Sequence, residues 1–233
     1  MATATSSENR RSTPGSAGRP RLDRDRIIAA GLELAAVPGT LSISVRELGA
    51  RLGADPTAIY RHFRNKEHLM QALLDELTVR SIAAVTADPS DWRERLRELA
   101  AATLAQFVRY PAIGVEATVL TTHGPGELDA IEFMLDAFSR AGLSDDDLVH
   151  HYALLASHVL TSAAGIARAR GERGEPTDDT SPWLDGPLLA DPRKYPLITA
   201  VNAKLADLED HDLFRLGVEA VIQSAERTIA ARS

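Results

Sequence analysis

Between Ser44 and Lys66 the chain reads SVRELGARLGADPTAIYRHFRNK, and here hydroxyl, aromatic and basic side chains fall at spacings suited to one task. Thr57 stands near the start of a short helical segment, Tyr60, Arg61 and His62 are consecutive near its end, and Arg64 and Lys66 follow. Hydroxyls and cations grouped this way meet phosphate oxygens, and an arginine can also donate twice to guanine O6 and N7. Ser44 and Arg46, at the start of the preceding helix, fall within reach of the same surface. Other candidate chemistry is thinner. His150, His151 and His158 share one helix, but positions i and i+8 lie about 12 Å apart at a rise of 1.5 Å per residue, and adjacent histidines point to different faces. No Cys or Glu completes a compact set, so neither metal nor cofactor is expected. Asp145, Asp146 and Asp147 open a helix, where acidic residues complement its dipole. The sequence has no G-x-S-x-G elbow, phosphate loop, H-E-x-x-H or Gly-rich dinucleotide turn, which weighs against an enzyme.

The elements that must position those side chains are legible around them. Ser44-Val45-Arg46-Glu47 has the form of a capping box and opens a helix that runs to Leu52. Gly53 permits a tight turn, Asp55 can cap the next helix, and Pro56 suits its first position, so a short helix is predicted from Pro56 to Phe63. Two short helices joined in this way are a helix-turn-helix, whose second helix enters the DNA major groove. Upstream, Asp23 caps a helix carrying Ile27, Ile28, Gly31 and Leu34 on one stripe, stopped at Pro38-Gly39. Downstream, Asn65 caps a helix continuing through Met70, Leu73, Leu74 and Leu77. Residues 1–21 are rich in Ser, Thr, Gly, Pro and Arg and read as a flexible basic arm, disordered when free, whose Arg19 and Arg21 are candidates for the minor groove.

With that register in place, the segment resembles the DNA-binding domain of the TetR family. Leu52-Gly53, Ile59-Tyr60-Arg61-His62-Phe63 and Asn65-Lys66 reproduce its L-G-x-x-x-x-x-[LI]-Y-x-[HY]-F-x-[NS]-K pattern, and the likeness covers roughly residues 22–70. The resemblance implies that Tyr60 and Lys66 contact phosphates, that Thr57, Arg61 and His62 face bases or sugar-phosphate, and that Ile59 and Phe63 pack inward. Two positions depart from the pattern. Pro56 stands where some members carry a base-reading Gln, and Arg61 stands where the tetracycline repressors carry Trp. Thr118 falls near the place where those repressors hold a drug–magnesium complex through a His, with His123 a few residues later.

The rest of the chain reads as helix, giving an all-α fold: a three-helix DNA-binding domain at 22–68 and a helical effector-binding and dimerisation domain at 69–233. Leu96, Leu99, Ala100, Thr103, Leu104, Phe107 and Val108 follow the i, i+3, i+4, i+7 spacing, and Pro111 ends that run. Further helices are predicted at 113–120, 127–141, 145–170, 195–208 and 211–231, with a polar loop at 171–194. Apolar walls with a few polar groups make a pocket; the candidates are Leu104, Phe107, Val115, Thr118, Val119, Thr122, Met134, Phe138, Leu154 and His158. A C2 dimer, which two half-sites one DNA turn apart require, would pair the stripe Leu155, Val159, Ser162, Ala163 and Ile166 with Phe214, Val218, Val221, Ile222 and Ala225.

Charge is divided along the chain. Residues 1–66 hold 11 Lys and Arg against 6 Asp and Glu, whereas the remainder holds 15 against 27, within a net charge of −7. A basic head on an acidic body attracts phosphate at one end without coating DNA along its whole surface. There is no cysteine. No apolar run approaches the roughly 20 residues of a membrane span, and the first residues lack a signal-peptide apolar core, so a cytoplasmic protein is expected. The resemblance implies a homodimer that binds palindromic operator DNA and is released by a small-molecule effector, as a repressor by family habit. An activator or nucleoid-type DNA-binding protein of the same fold, or an all-α enzyme, are the alternatives.

Overall fold

A computed structural model describes residues 22–174, 181–184 and 186–232. The proposed arm at 1–21, with Arg19 and Arg21, lies outside the described residues. Every regular element described is helical: α1 Arg24–Ala35, α2 Val45–Leu52, α3 Pro56–Ile59, α4 Lys66–Ala83, α5 Trp92–Arg109, α6 Pro111–Gly114, a 3-10 turn Val115–Thr118, α7 Pro125–Arg140, α8 Asp145–Arg173, α9 Pro196–Ala206 and α10 Asp210–Ala230.

The starts of these helices follow from capping chemistry. Asp23, Asp55, Asn65 and Asp91 each accept a hydrogen bond from a backbone N–H in the first turn that follows. Such caps satisfy donors that a helix cannot satisfy itself, and each contributes about 1 kcal/mol. Predicted boundaries move elsewhere. The helix expected at 113–120 is instead divided between α6, which starts at Pro111, and the 3-10 turn Val115–Thr118. The loop expected at 171–194 begins later, because α8 runs on to Arg173 and closes with Gly174 in the left-handed region at φ 67°.

α1, α2 and α3 form a small head whose core is Ile27, Leu48, Ile59 and Phe63, all essentially without solvent contact. α4 leaves this head and enters the body, where it packs on α5 and α7. In the body α5 and α8 are the central pair, with α10 against both. The α5 stripe buries Leu96, Leu99, Leu104, Phe107 and Val108, each worth roughly 1.5–3 kcal/mol when fully removed from water.

The long helix α8 is tied to α10 at the end where the chain emerges from α9. The Arg170 guanidinium, 2% exposed, donates from Nε and Nη2 to the Asp210 carboxylate at 2.8 and 2.7 Å. The segment at 181–183 is stitched to the same place: Asp210 N donates to Ser181 O at 2.8 Å and Trp183 N to Leu208 O at 2.7 Å. Burial by itself would raise the Asp210 carboxyl, but the hydrogen bonds and charge of Arg170 outweigh it and hold the group below the usual carboxylate range. A depressed folded-state pKa stabilises above the unfolded value near 4, and that contribution is lost as pH falls through the folded value. Arg170→Met, which strands the Asp210 charge, should therefore destabilise the protein by about 3–5 kcal/mol at neutral pH in denaturant titration. The deficit against the native chain should shrink as the pH is taken below about 4.

Candidate DNA-binding surface and effector cavity

The surface of the head is built from α2 outward. The Ser44 hydroxyl accepts from Glu47 N at 3.5 Å, which sets the first turn of α2. Gly53 takes φ 61°, a left-handed conformation disfavoured for residues with a Cβ, and Ala54 N closes the turn on Gly49 O at 2.9 Å. Asp55 then accepts from both the amide and the hydroxyl of Thr57, at 2.8 and 2.6 Å, and these bonds hold its carboxyl below the usual range. The helix predicted to reach Phe63 is α-helical only to Ile59. Arg61 N and His62 N instead bond to Ala58 O and Ile59 O, so the chain continues in tighter turns.

Those turns present one face to solvent. Arg46, Thr57, Tyr60, Arg61 and Lys66 are exposed, Ser44 and His62 are half-buried, and Ile59 and Phe63 are buried beneath them. Lys66 opens α4 directly after the Asn65 cap, whose side chain accepts from His68 N at 2.8 Å. His68 Nδ1 in turn accepts from Arg64 N at 3.2 Å, and the Arg24 guanidinium lies 4.8 Å over the Phe63 ring. Burial, with Arg64 and Arg24 nearby, pushes the His68 pKa down, which favours the neutral ring that this acceptor role needs. The hydroxyls of Ser44 and Thr57 are thus engaged within the chain, the first as the cap of α2 and the second as a donor to the Asp55 cap of α3, while the basic groups are exposed.

In the body, a cavity of about 120 Å³ lies between α4, α5, α7 and α8. Its wall is mostly aliphatic, from Leu74, Leu96, Leu99, Met134, Leu155 and Val159 among others, with Thr78, Thr103, Thr122, Glu127 and Tyr152 as the polar members. Of the ten residues the sequence suggested for a pocket, Thr122 and Met134 line it. Leu104, Phe107 and Phe138 are buried core, Val115 and Thr118 lie in the 3-10 turn, and Val119 and Leu154 face solvent at 74% and 53% exposure. His158 sits elsewhere. It stacks on Phe214, with its Nε2 2.9 Å from Phe214 O and its Nδ1 3.3 Å from the Ser162 hydroxyl, over a gap that only a glycine at 217 leaves open. The periodicity that marked α5 identified Leu96, Leu99 and Thr103 as an apolar stripe. It could not tell which part of that stripe faces a void.

The ten residues expected to pair two protomers are placed within one. Leu155, Val159, Ala163 and Ile166 of α8, and Phe214, Val218, Ile222 and Ala225 of α10, are buried in the single chain, with Ser162 and Val221 partly so. The reason is geometric: α8 and α10 pack on each other and on α5 inside the protomer, so their inner stripes are consumed there. What remains outward is a second set, including Leu154 and Leu216, whereas Leu160 lines the cavity. Among the described residues no cluster of three or more His, Cys, Asp or Glu could hold a metal ion, and no helix is long and apolar enough to cross a membrane.

A buried carboxylate fastens α4 to the start of α7. Asp75 of α4 accepts from Gly126 N and Glu127 N, at 3.1 and 2.9 Å, and from the Thr122 hydroxyl at 3.0 Å. It thereby caps α7 from a different helix. The approach is so close that a Cβ at Gly124 would lie 2.4 Å from the Asp75 carboxyl and one at Gly126 2.6 Å from Asp75 O.

Comparison with known proteins agrees with this division of labour. Residues 27–73 match the profile of bacterial regulatory proteins of the tetR family, and residues 86–228 match that of the tetracyclin repressor-like C-terminal domain. The HTH-type transcriptional repressor DrrR1 of Streptomyces coeruleorubidus is 25% identical over 224 residues, 94% of this chain and 83% of that protein. The class C tetracycline repressor protein of Escherichia coli is 29% identical over 167 residues, 69% of this chain and 75% of that one. Among solved structures, ActR of Streptomyces coelicolor in complex with actinorhodin has the same fold, with a TM-score of 0.72 over 90% of this chain and 99% of that one at 20% identity. A helix-turn-helix head joined by one helix to an all-helical body with an internal cavity, matched over both parts, makes this chain a member of the TetR family of transcriptional regulators.

Proposed function

We propose that the protein is a homodimeric repressor that binds a palindromic operator through residues 22–68 and is released when a small molecule enters the cavity of residues 69–233. It acts by binding rather than by catalysis, on chromosomal DNA in the cytoplasm. The observation that carries this reading is the exposure of Arg46, Thr57, Tyr60, Arg61 and Lys66 on either side of the Gly53 turn, over the buried Ile59 and Phe63. Arg61 is assigned to base edges and Tyr60 and Lys66 to phosphates, with Thr57, His62, Ser44 and Arg46 at the margins of the contact. Relatives in the family carry names as transcriptional repressors, and ActR holds actinorhodin.

Two recognition helices must sit about one DNA turn apart, which requires a partner. The outward residues Leu154 on α8 and Leu216 on α10 supply apolar surface for it, and α9, none of whose residues is buried, adds Leu197 at 81% exposure. This face replaces the inner stripes as the assigned dimer surface.

Release follows from population shift. α4 begins at Lys66 beside the DNA-facing turns and lines the cavity with Leu74 and Thr78. A ligand that prefers the head separation incompatible with operator shifts the dimer by its differential affinity for the two states.

In gel-shift titration Arg61→Ala should relax sequence preference at one operator position, costing about 1–3 kcal/mol on the cognate site. Lys66→Ala should weaken cognate and scrambled DNA alike and lower the salt slope by about 1. Unaltered binding by both variants would remove the assignment. Leu99→Trp, which fills the cavity, should still bind operator. In a thermal-shift screen, ligands at about 100-fold their Kd should stabilise the native chain by roughly 2.7 kcal/mol and leave this variant unmoved.

A further inference from the structure

The polar side chains around the cavity are not equivalent. Thr103 donates its hydroxyl to Leu99 O at 2.8 Å and Thr78 donates to Leu74 O at 3.2 Å, so both answer their own helix. The Thr122 hydroxyl faces Asp75 Oδ1 at 3.0 Å and Glu127 Oε2 at 3.1 Å. Glu127 Oε2 also accepts from His123 N at 2.6 Å. Glu127 Oε1 and the Tyr152 hydroxyl receive no hydrogen bond from the described residues, and both residues belong to the cavity wall. They are electrostatically close: burial, and then the Glu127 charge, push the Tyr152 phenol above its usual range.

The wall contains one carboxylate and no Lys, Arg or His among the described residues. An uncharged apolar ligand filling this space would strip water from Glu127 and offer the open oxygen nothing in return. An anion would add repulsion at short range in a medium of low dielectric. A protonated amine does the opposite, since its N–H groups replace the lost water and its charge opposes that of the carboxylate. At roughly 15 Å³ for each water-sized centre, the 120 Å³ cavity has room for about eight, the size of one ring with a short tail before any side chain moves.

We propose that the effector is a small, largely apolar organic cation, seated with its body against Leu74, Leu96, Leu99 and Met134 and its ammonium against Glu127, with the Tyr152 hydroxyl as the second polar contact. The inference rests on the reading of this cavity as the effector site. It adds the charge and the recognising group. Because Glu127 Oε2 and Asp75 share the Thr122 hydroxyl, a single side chain, Thr122, stands between the carboxylate that recognises the ammonium and the helix that leads to the DNA-facing turns.

The test uses three probes of one shape and different charge: phenethylamine, phenethyl alcohol and phenylacetate, titrated calorimetrically into the full-length protein at neutral pH. The amine should bind at least tenfold more tightly than the alcohol, with phenylacetate weakest. Glu127→Gln keeps a side-chain carbonyl for His123 N and Thr122, and its folding is checked by its melting curve. In that variant the amine and alcohol should agree within about threefold. A native protein that does not distinguish amine from alcohol, or a folded Glu127→Gln that keeps the preference, overturns the proposal. Leu99→Trp separates the two levels. Equal binding of amine and alcohol that this variant abolishes leaves the cavity as the effector site and removes only the role of Glu127. Binding that survives Leu99→Trp, or no binding of any probe, overturns both.

Discussion

One carboxylate fastens the helix that leaves the head to the rest of the body. Asp75 lies on α4, whose first residues stand at the DNA-facing turns, yet its oxygens bind the first N–H groups of α7 in the body. Hydrogen bonds to an ionised group are worth about 1.5–3 kcal/mol each, and breaking them here would leave a charge 9% exposed without its partners. The contact works only because positions 124 and 126 carry no side chain. A helix fastened in this way cannot slide along the body without uncapping α7. Movement of the cavity wall and movement of the head are therefore expressed through one shared element.

The opposite side of the body is fixed by different chemistry. The Arg170–Asp210 pair and the His158 ring over Gly217 tie α8 to α10, and the strand-like pairing of Pro182 with Glu209 holds the segment before α10. α8 and α4 flank the same void. A cavity with one wall tied by buried polar contacts and one wall on the helix that leads to the head is the arrangement that lets a small volume change matter at a distance, because packed interiors shift between discrete arrangements rather than deform smoothly.

Glu127 occupies the meeting point of these parts. As the third residue of α7 it serves the loop at Thr122 and His123, and as a cavity residue it presents charge to whatever enters. Both roles draw on one side chain, so ligand capture and the order of the loop are linked energetically. The Thr122 hydroxyl, with a single proton and two carboxylate acceptors, is the narrowest part of that link.

The head was legible in the sequence because its determinants are local. Caps at Ser44, Asp55 and Asn65, the positive-φ turn at Gly53 and the burial of Ile59 and Phe63 each act within a few residues, so spacing alone shows which side chains face outward. Helix type and order in the body were largely readable from apolar periodicity, although Pro111, read as the end of one helix, also opens α6, and Pro125, read as loop, opens α7. The partners of each stripe were not. Leu155 and Val159 read as a dimer seam yet line a cavity inside one protomer, Leu154 read as pocket yet faces solvent, and Asp75 and Glu127 drew no notice. A helix's sequence specifies that it has an apolar face and where that face lies. What the face packs on, where packing leaves a void and which carboxylate reaches a helix end some 50 positions away depend on contacts between elements, and those are fixed only when the chain closes on itself.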